Sequence, residues 1–172
     1  MLIHYAAVDS PLGRLYLARN DEGLLALTLG VEAKPTLFTY LEKFSPKAEI
    51  KASKPELKLE ISQLDEYFKS QRTIFDLELN LIGTDFQLRV WQALKSIPYG
   101  KTISYGDLAT WLNNPGGMRA VGAANGQNPI PIIIPCHRVI AADGSLGGYT
   151  GGLDIKRKLL DLEMQKYTPT LF

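Results

Sequence analysis

The single cysteine of this 172-residue chain, Cys136, is followed directly by His137 and Arg138. A thiol reacts as thiolate, and a neighbouring imidazole or cationic group lowers its pKa from about 8.5 by one to several units. The surrounding run is Ile130-Pro131-Ile132-Ile133-Ile134-Pro135-Cys136-His137-Arg138-Val139-Ile140. An apolar segment bracketed by prolines therefore delivers the sulfur to a turn. One reading is a nucleophilic thiol with an imidazole beside it. The other is a small buried hydrophobe, since free cysteine is among the most buried residue types. Residue types alone leave both open.

Three other stretches could frame such chemistry. The segment 142–152 is rich in glycine, which lets backbone approach a ligand closely, and places Tyr149 to stack on something planar; a mobile hairpin is the alternative. Arg119 is the one long cation in a run of small residues that includes Ala120, Gly122 and Ala123. Such a surface suits close approach to a nucleic acid backbone, or equally a tight helix–helix contact. Glu163 follows Leu153 and Leu160 along one line of the last helix, and a carboxylate on an apolar face needs a partner. It is a candidate to orient an imidazole, with a solvent-facing helix end as the alternative.

Composition narrows the field. Hydrophobic residues make up 45% and charged residues 22%, so a packed core is expected, in one large domain or two small ones. One cysteine excludes an internal disulfide and a cysteine-rich zinc site, and two histidines suggest no metal centre. No long apolar run predicts a membrane span, and residues 1–10 lack the basic start and apolar stretch of a signal peptide. A reducing, cytoplasmic location associated with nucleoid or nucleus is expected. Residues 1–80 hold 10 Lys/Arg against 12 Asp/Glu, and residues 81–172 hold 9 against 6. The half with the cysteine is the positive half, which fits a polyanionic partner or a surface fluctuation.

Element signals divide the chain near 76–84, giving an N-terminal supporting α/β domain over 1–80 and a second domain over 81–172. Residues 2–9, 14–19 and 24–29 read as a three-stranded meander with turns at Pro11-Leu12-Gly13 and Asp21-Glu22-Gly23. Residues 36–44 and 55–70 read as helices, the second with Leu57, Ile61, Leu64 and Phe68 on one face. The charge-dense stretch 45–54 between them reads as a loop. In the second domain, Phe86, Val90, Leu94 and Ile97 mark a helix, and Ser104 with Asp107 reads as a capping box for another that runs to about Leu112. After the turn at Asn113-Asn114-Pro115-Gly116-Gly117, a short helix over 118–125 completes a helix-turn-helix pattern. Ile132–Ile134 reads as a buried extended segment, and 153–165 as the last helix. The expected fold class is α/β (α+β): a small N-terminal antiparallel sheet with helices, then a mostly helical, winged-helix-like domain.

Taken together, Pro135-Cys136-His137-Arg138-Val139 resembles the active-site signature of the O6-alkylguanine-DNA alkyltransferases, also called methylated-DNA–protein-cysteine methyltransferases. Arg119-Ala120-Val121-Gly122, Asn128-Pro129 and Gly148-Tyr149-Thr150-Gly151-Gly152-Leu153 resemble family segments at family-like spacing. The resemblance is dense over 84–165 and faint before. It implies that Cys136 accepts the alkyl group, that His137 takes its proton through a bound water, and that Glu163 holds His137 in the right tautomer. Asn128 would brace the turn carrying the cysteine. Tyr105 would press on the phosphate beside the target and donate toward the leaving guanine. Arg119 would fill the base stack, with Ala120, Gly122 and Ala123 against the DNA. Tyr149 would flank the extruded guanine, the Val139 backbone would read its edge, the Thr150 N–H would bond its oxygen, and Gly151 and Lys156 would help shape and fix the loop. Thr150 stands where the family often has serine, and the zinc ligands of some animal members have no counterparts here.

The implied partner is double-stranded DNA carrying O6-alkylguanine, and also O4-alkylthymine, bound through the minor groove by the helix-turn-helix with little sequence preference. The protein would act as a monomer, once per molecule, with no cofactor, no metal and no membrane. A cysteine-dependent hydrolase and a noncatalytic binder of alkylated DNA are the competing readings.

Overall fold

The computed structural model describes residues 1–165. It divides into two compact units, Met1–Ile82 and a second that begins at Gly83.

In the first unit, β1 (Leu2–Ser10), β2 (Gly13–Asn20) and β3 (Gly23–Thr28) form the meander that alternation and turn residues predict. The helix α1 (Ala33–Phe44) packs on β2 and β3, and its Leu37 and Leu41 close a core with Ile3, Ala18, Leu25 and Ala26. Leu15 and Leu17 project to the other face of β2 and are also fully buried. The stretch expected to be a loop holds a further strand, β4 (Glu49–Ala52), parallel to β1 in a sheet of order β3-β2-β1-β4. Its sequence hides it because an edge strand of Glu, Ile, Lys and Ala has one half-buried side chain and no clear alternation. Backbone pairing, Glu49 N–H to Met1 O at 3.0 Å among it, supplies the order that side chains do not.

A 3₁₀ turn (Pro55–Leu57) leads into α2 (Lys58–Phe68). The expected apolar face is rotated: Leu57 and Leu64 are buried as read, but Ile61 and Phe68 are half-buried, while Tyr67, Glu60 and Gln63 are buried. Gln63 tolerates burial because its amide pairs with the backbone of Asp76 in both directions at 2.9 Å.

The second unit is mostly helical. The helix α3 (Asp85–Leu94) opens on a capping box between Thr84 and Gln87, and buries Val90, Trp91 and Leu94. Trp91 Nε1 donates to Ala124 O at 2.8 Å and so ties α3 to α5 (Met118–Gly126). Between them, β5 (Ile103–Ser104) leads into α4 (Tyr105–Trp111), whose Ser104–Asp107 capping box forms as its spacing predicts. Helices α4 and α5 make the helix-turn-helix pair, and β5 pairs in parallel with β6 (Val139–Ile140). The last described helix is α6 (Leu153–Gln165). None of the described helices is long and apolar enough to cross a membrane.

Candidate active site

Cys136 stands at the start of a 3₁₀ turn, Cys136–Arg138, and is 5% exposed. The segment before it is a compact turn rather than the extended run expected. Ile134 N–H reaches back to Ile130 O at 2.9 Å, and Cys136 N–H reaches Ile134 O at 2.8 Å. Ile132 holds φ at 76°, a left-handed conformation costly for a β-branched residue. Three consecutive isoleucines signal burial, but burial can be met by a turn as well as by a strand. Asn128 fastens this turn, donating Nδ2–H to Ile134 O at 2.8 Å and accepting from Ile130 N–H at 3.0 Å.

The next two residues of the turn enter one buried network with α6. His137 Nε2 lies 2.7 Å from Glu163 Oε1, with both side chains out of solvent. Arg138 grips the same carboxylate with Nε to Oε2 and Nη2 to Oε1, each 2.9 Å, and sends Nη1–H to Ile97 O at 2.6 Å. Gly100 N–H adds a fourth contact, to Oε2 at 3.2 Å. Burial alone would raise the Glu163 carboxyl, but hydrogen bonds and charge from His137 and Arg138 outweigh it and hold it down to about 2. Burial pushes His137 below its ordinary value, with Arg138 and Lys156 adding to that and Glu163 opposing. An ionised carboxylate only accepts, so Nε2 carries the proton and Nδ1 keeps its lone pair. Nδ1 is buried and makes no hydrogen bond among the described residues.

Cys136 forms part of the wall of a cavity of about 460 Å³, with Gly122, Asn125 and Gly126 of α5 on one side. Gly148, Tyr149 and Thr150 of the glycine-rich loop and Tyr105 of α4 complete it. Burial drives the thiol up to about 11; Asn128, Lys156, the local backbone and Tyr149 pull the other way. This corrects the expectation that the adjacent imidazole activates the sulfur by lowering its pKa. The ring is neutral and turned toward Glu163, so what it offers is a base rather than a charge. Burial also raises Tyr105 and Tyr149, and a charge on Cys136 would raise both further.

Lys156 of α6 organises the loop. Fully buried, its Nζ donates to Val139 O at 2.6 Å, to Leu146 O, and to Gly148 O at 3.1 Å. Burial lowers the ammonium to about 8, while a charge on Cys136 pulls the other way. Thr150 Oγ1–H closes the far end of the loop onto Gly126 O at 2.8 Å. Gly147 has φ of 69°, and a Cβ there would sit 3.0 Å from the Tyr105 ring and hydroxyl.

Of the residues singled out from sequence, Cys136, His137, Asn128, Glu163, Tyr105, Val139, Tyr149, Thr150 and Lys156 converge on this region. Gly122 joins the cavity wall. Gly151 is half-buried beside it. Arg119, Ala120 and Ala123 are exposed on the outer side of α5, whose Val121, Ala124 and Asn125 face inward. Sequence reasoning counted Arg138 only as a cation that would lower the thiol's pKa, and gave no role to Asn125. A buried arginine next to the imidazole was implicit in the demand that Glu163 have a partner; Asn125 left no signal in a short helix of small residues.

Residues 3–81 match the family described as 6-O-methylguanine DNA methyltransferase, ribonuclease-like domain, and residues 85–165 match 6-O-methylguanine DNA methyltransferase, DNA binding domain. The methylated-DNA–protein-cysteine methyltransferase of Mycobacterium tuberculosis (strain H37Rv) is 47% identical over 165 residues, spanning 96% of this chain and 94% of its own. That of Methanosarcina acetivorans is 45% identical over 165 residues, 94% of this chain and 98% of its own. A crystal structure of Mycobacterium tuberculosis OGT in complex with DNA superposes with a TM-score of 0.80 at 46% identity, covering 95% of this chain and 94% of that one. With both units matched and relatives this similar over nearly the whole chain, the protein belongs to the methylated-DNA–protein-cysteine methyltransferase family.

Proposed function

We propose that this protein repairs DNA by moving the alkyl group of O6-alkylguanine, and also of O4-alkylthymine, onto Cys136 and retaining it there. The observation that supports this reading best is the buried thiol at a base-sized cavity, backed by a neutral imidazole whose free Nδ1 is set by Glu163. A thiol held up to about 11 is protonated at neutral pH, so it needs a base at the moment of attack. His137 takes the thiol proton through a bridging water. The sulfur then forms a bond to the alkyl carbon as the carbon–O6 bond breaks, and its electron pair remains on guanine. Tyr105 supplies a proton toward the leaving base, and the Thr150 N–H steadies the oxygen. The thioether product has no second thiol to relieve it, so each molecule acts once.

The alkylated oxygen lies inside the duplex, so the nucleotide must swing out, at a cost of a few kcal/mol. Arg119 fills the gap from the exposed side of α5, while Ala120, Gly122 and Ala123 allow close approach in the minor groove. Tyr149 flanks the base, the Val139 backbone and Gly151 border it, and Asn128 and Lys156 hold turn and loop. Unit 1 supports; unit 2 carries DNA contact and transfer. The protein works as a monomer on DNA of any sequence, in the cytoplasm or at the nucleoid, under reducing conditions.

The test is to incubate the protein with a duplex containing O6-benzylguanine and take an intact mass. The expected result is one benzyl adduct per chain, on the peptide holding Cys136 and absent in Cys136→Ser. Sustained turnover with no adduct would show a hydrolase, and binding without transfer a noncatalytic reader.

A further inference from the structure

Two residues of the apolar face read from the sequence of α2, Ile61 and Phe68, stay half-buried. They line a cavity of about 690 Å³ between α2 and the end of β1 with its turn. Leu64, Val8, Pro11 and Pro55 complete the apolar part of the wall. Every lining residue belongs to the first unit, and none of them borders the cavity of Cys136. Cavities of about 300–1,000 Å³ are the size that takes small ligands. A protein partner would need roughly 20–30 residues a side, more than the twelve that line this cavity.

Charge around this cavity is not balanced. Its two carboxylates are already paired: Asp9 accepts from Arg14 Nε at 3.1 Å, and Asp65 accepts from Lys69 Nζ at 2.6 Å. Lys54 and Lys58, on the turn that enters α2, also line it, and both are exposed. Neither makes an ion pair or a side-chain hydrogen bond among the described residues. Lys58 is the first residue of α2, where the helix dipole disfavours a cation, so its charge does nothing for the helix. An apolar recess with two unpaired ammonium groups beside it complements a molecule with a hydrocarbon body and an anionic head.

We propose that this cavity binds one molecule of a long-chain carboxylate in its free, monomeric form. The hydrocarbon chain lies against Ile61, Leu64 and Phe68, and the carboxylate meets the ammonium groups of Lys54 and Lys58. The apolar wall supplies affinity in proportion to chain length, and the lysines supply the preference for an anion. A membrane surface would need apolar side chains that protrude, whereas these three form the wall of a recess. The site is independent of alkyl transfer.

The experiment titrates the full chain calorimetrically with octanoate, decanoate and dodecanoate, each below the concentration at which it forms micelles. The expected result is one saturable site whose affinity rises about fourfold per added methylene. The double variant Lys54→Gln/Lys58→Gln should bind decanoate about fivefold more weakly and decanol as the wild type does. Ser62→Glu, an exposed substitution on the same wall, should weaken decanoate in the same sense. Denaturant midpoints confirm that each variant is folded. Amide shifts on saturation should move at Val8, Ile61, Ser62 and Phe68. No saturable binding at millimolar carboxylate, affinity independent of chain length, equal decanoate binding by the double variant, or shifts confined to the surroundings of Cys136 would each overturn the proposal. So would binding to phosphatidylglycerol vesicles in place of the monomer, or a wild-type dimer that Ser62→Glu splits, which would make a membrane or a second copy the occupant.

Discussion

The guanidinium of Arg138 and the carboxylate of Glu163 meet fork to fork, through two hydrogen bonds of 2.9 Å, in a pocket from which both side chains are nearly excluded from water. That pairing keeps Glu163 ionised, and an ionised Glu163 fixes which nitrogen of His137 can act as a base.

Glu163→Gln keeps the shape but allows the side chain to donate to Nε2, which would move the imidazole proton to Nδ1 and remove the base. It also leaves Arg138 buried without a counter-charge. Transfer to Cys136 should slow by about 10² or more, and stability should drop by about 3 kcal/mol. Rapid-quench methyl transfer and denaturant unfolding measure the two; an unchanged rate would remove His137 from the proton path.

The dependence of stability on pH follows from the same groups. Glu163 is lowered from 4.5 to about 2, so its stabilisation is complete above 4.5 and is lost as pH falls toward 2, up to about 3 kcal/mol. Lowered His137 adds to the acid loss, since the unfolded chain binds its proton first. At the alkaline end two trends oppose. Cys136, raised from 9 to about 11, makes stability fall with rising pH over that range. Lys156, lowered from 10.5 to about 8, makes it rise from about 8 to 10.5. Between pH 9 and 10, below the range where the raised Tyr105 and Tyr149 would add a fall of their own, denaturant midpoints should therefore be flatter than in Cys136→Ala, which lacks the opposing thiol. A Cys136→Ala curve that still falls between pH 9 and 10 would refute this pairing.

Lys156→Met removes three hydrogen bonds that anchor the loop to β6 and α6 while keeping most of the side-chain volume. Hydrogen exchange at Gly148–Thr150 should accelerate at least tenfold, and alkyl transfer should slow more than DNA binding weakens. Unaltered exchange would show that the loop holds its shape without the lysine.

Gly147→Ala introduces a Cβ at a left-handed φ and 3.0 Å from Tyr105, a strain of about 1–2 kcal/mol before any steric push. Transfer should slow by about tenfold with duplex affinity within twofold of wild type. A slower rate accompanied by an equal loss of affinity would place the damage in DNA contact, that of Tyr105 with the phosphate included, rather than in proton donation by Tyr105.

Much of this protein was readable in the chain. Alternation and Pro/Gly turns placed β1 to β3, the Ser104–Asp107 spacing placed the start of α4, and the run around Cys136 singled out the thiol and imidazole that the fold brings to one region. These signals are legible because they arise from preferences acting over a few residues. The edge strand β4 escaped because backbone pairing with a distant strand, not side-chain pattern, orders it. The helical face of α2 was misread because Glu60 and Gln63 are polar, and their burial depends on partners elsewhere.

The site shows the same division more sharply. Adjacency of Cys136 and His137 in the chain suggested a thiol activated by a neighbouring ring, yet folding turns the ring to Glu163, 26 residues away, and buries the sulfur. Residue identity determined that a thiol, an imidazole and a carboxylate would be available. Only the packing of α6 against the 3₁₀ turn decided the protonation states, because desolvation and long-range hydrogen bonds exist only once water has been excluded.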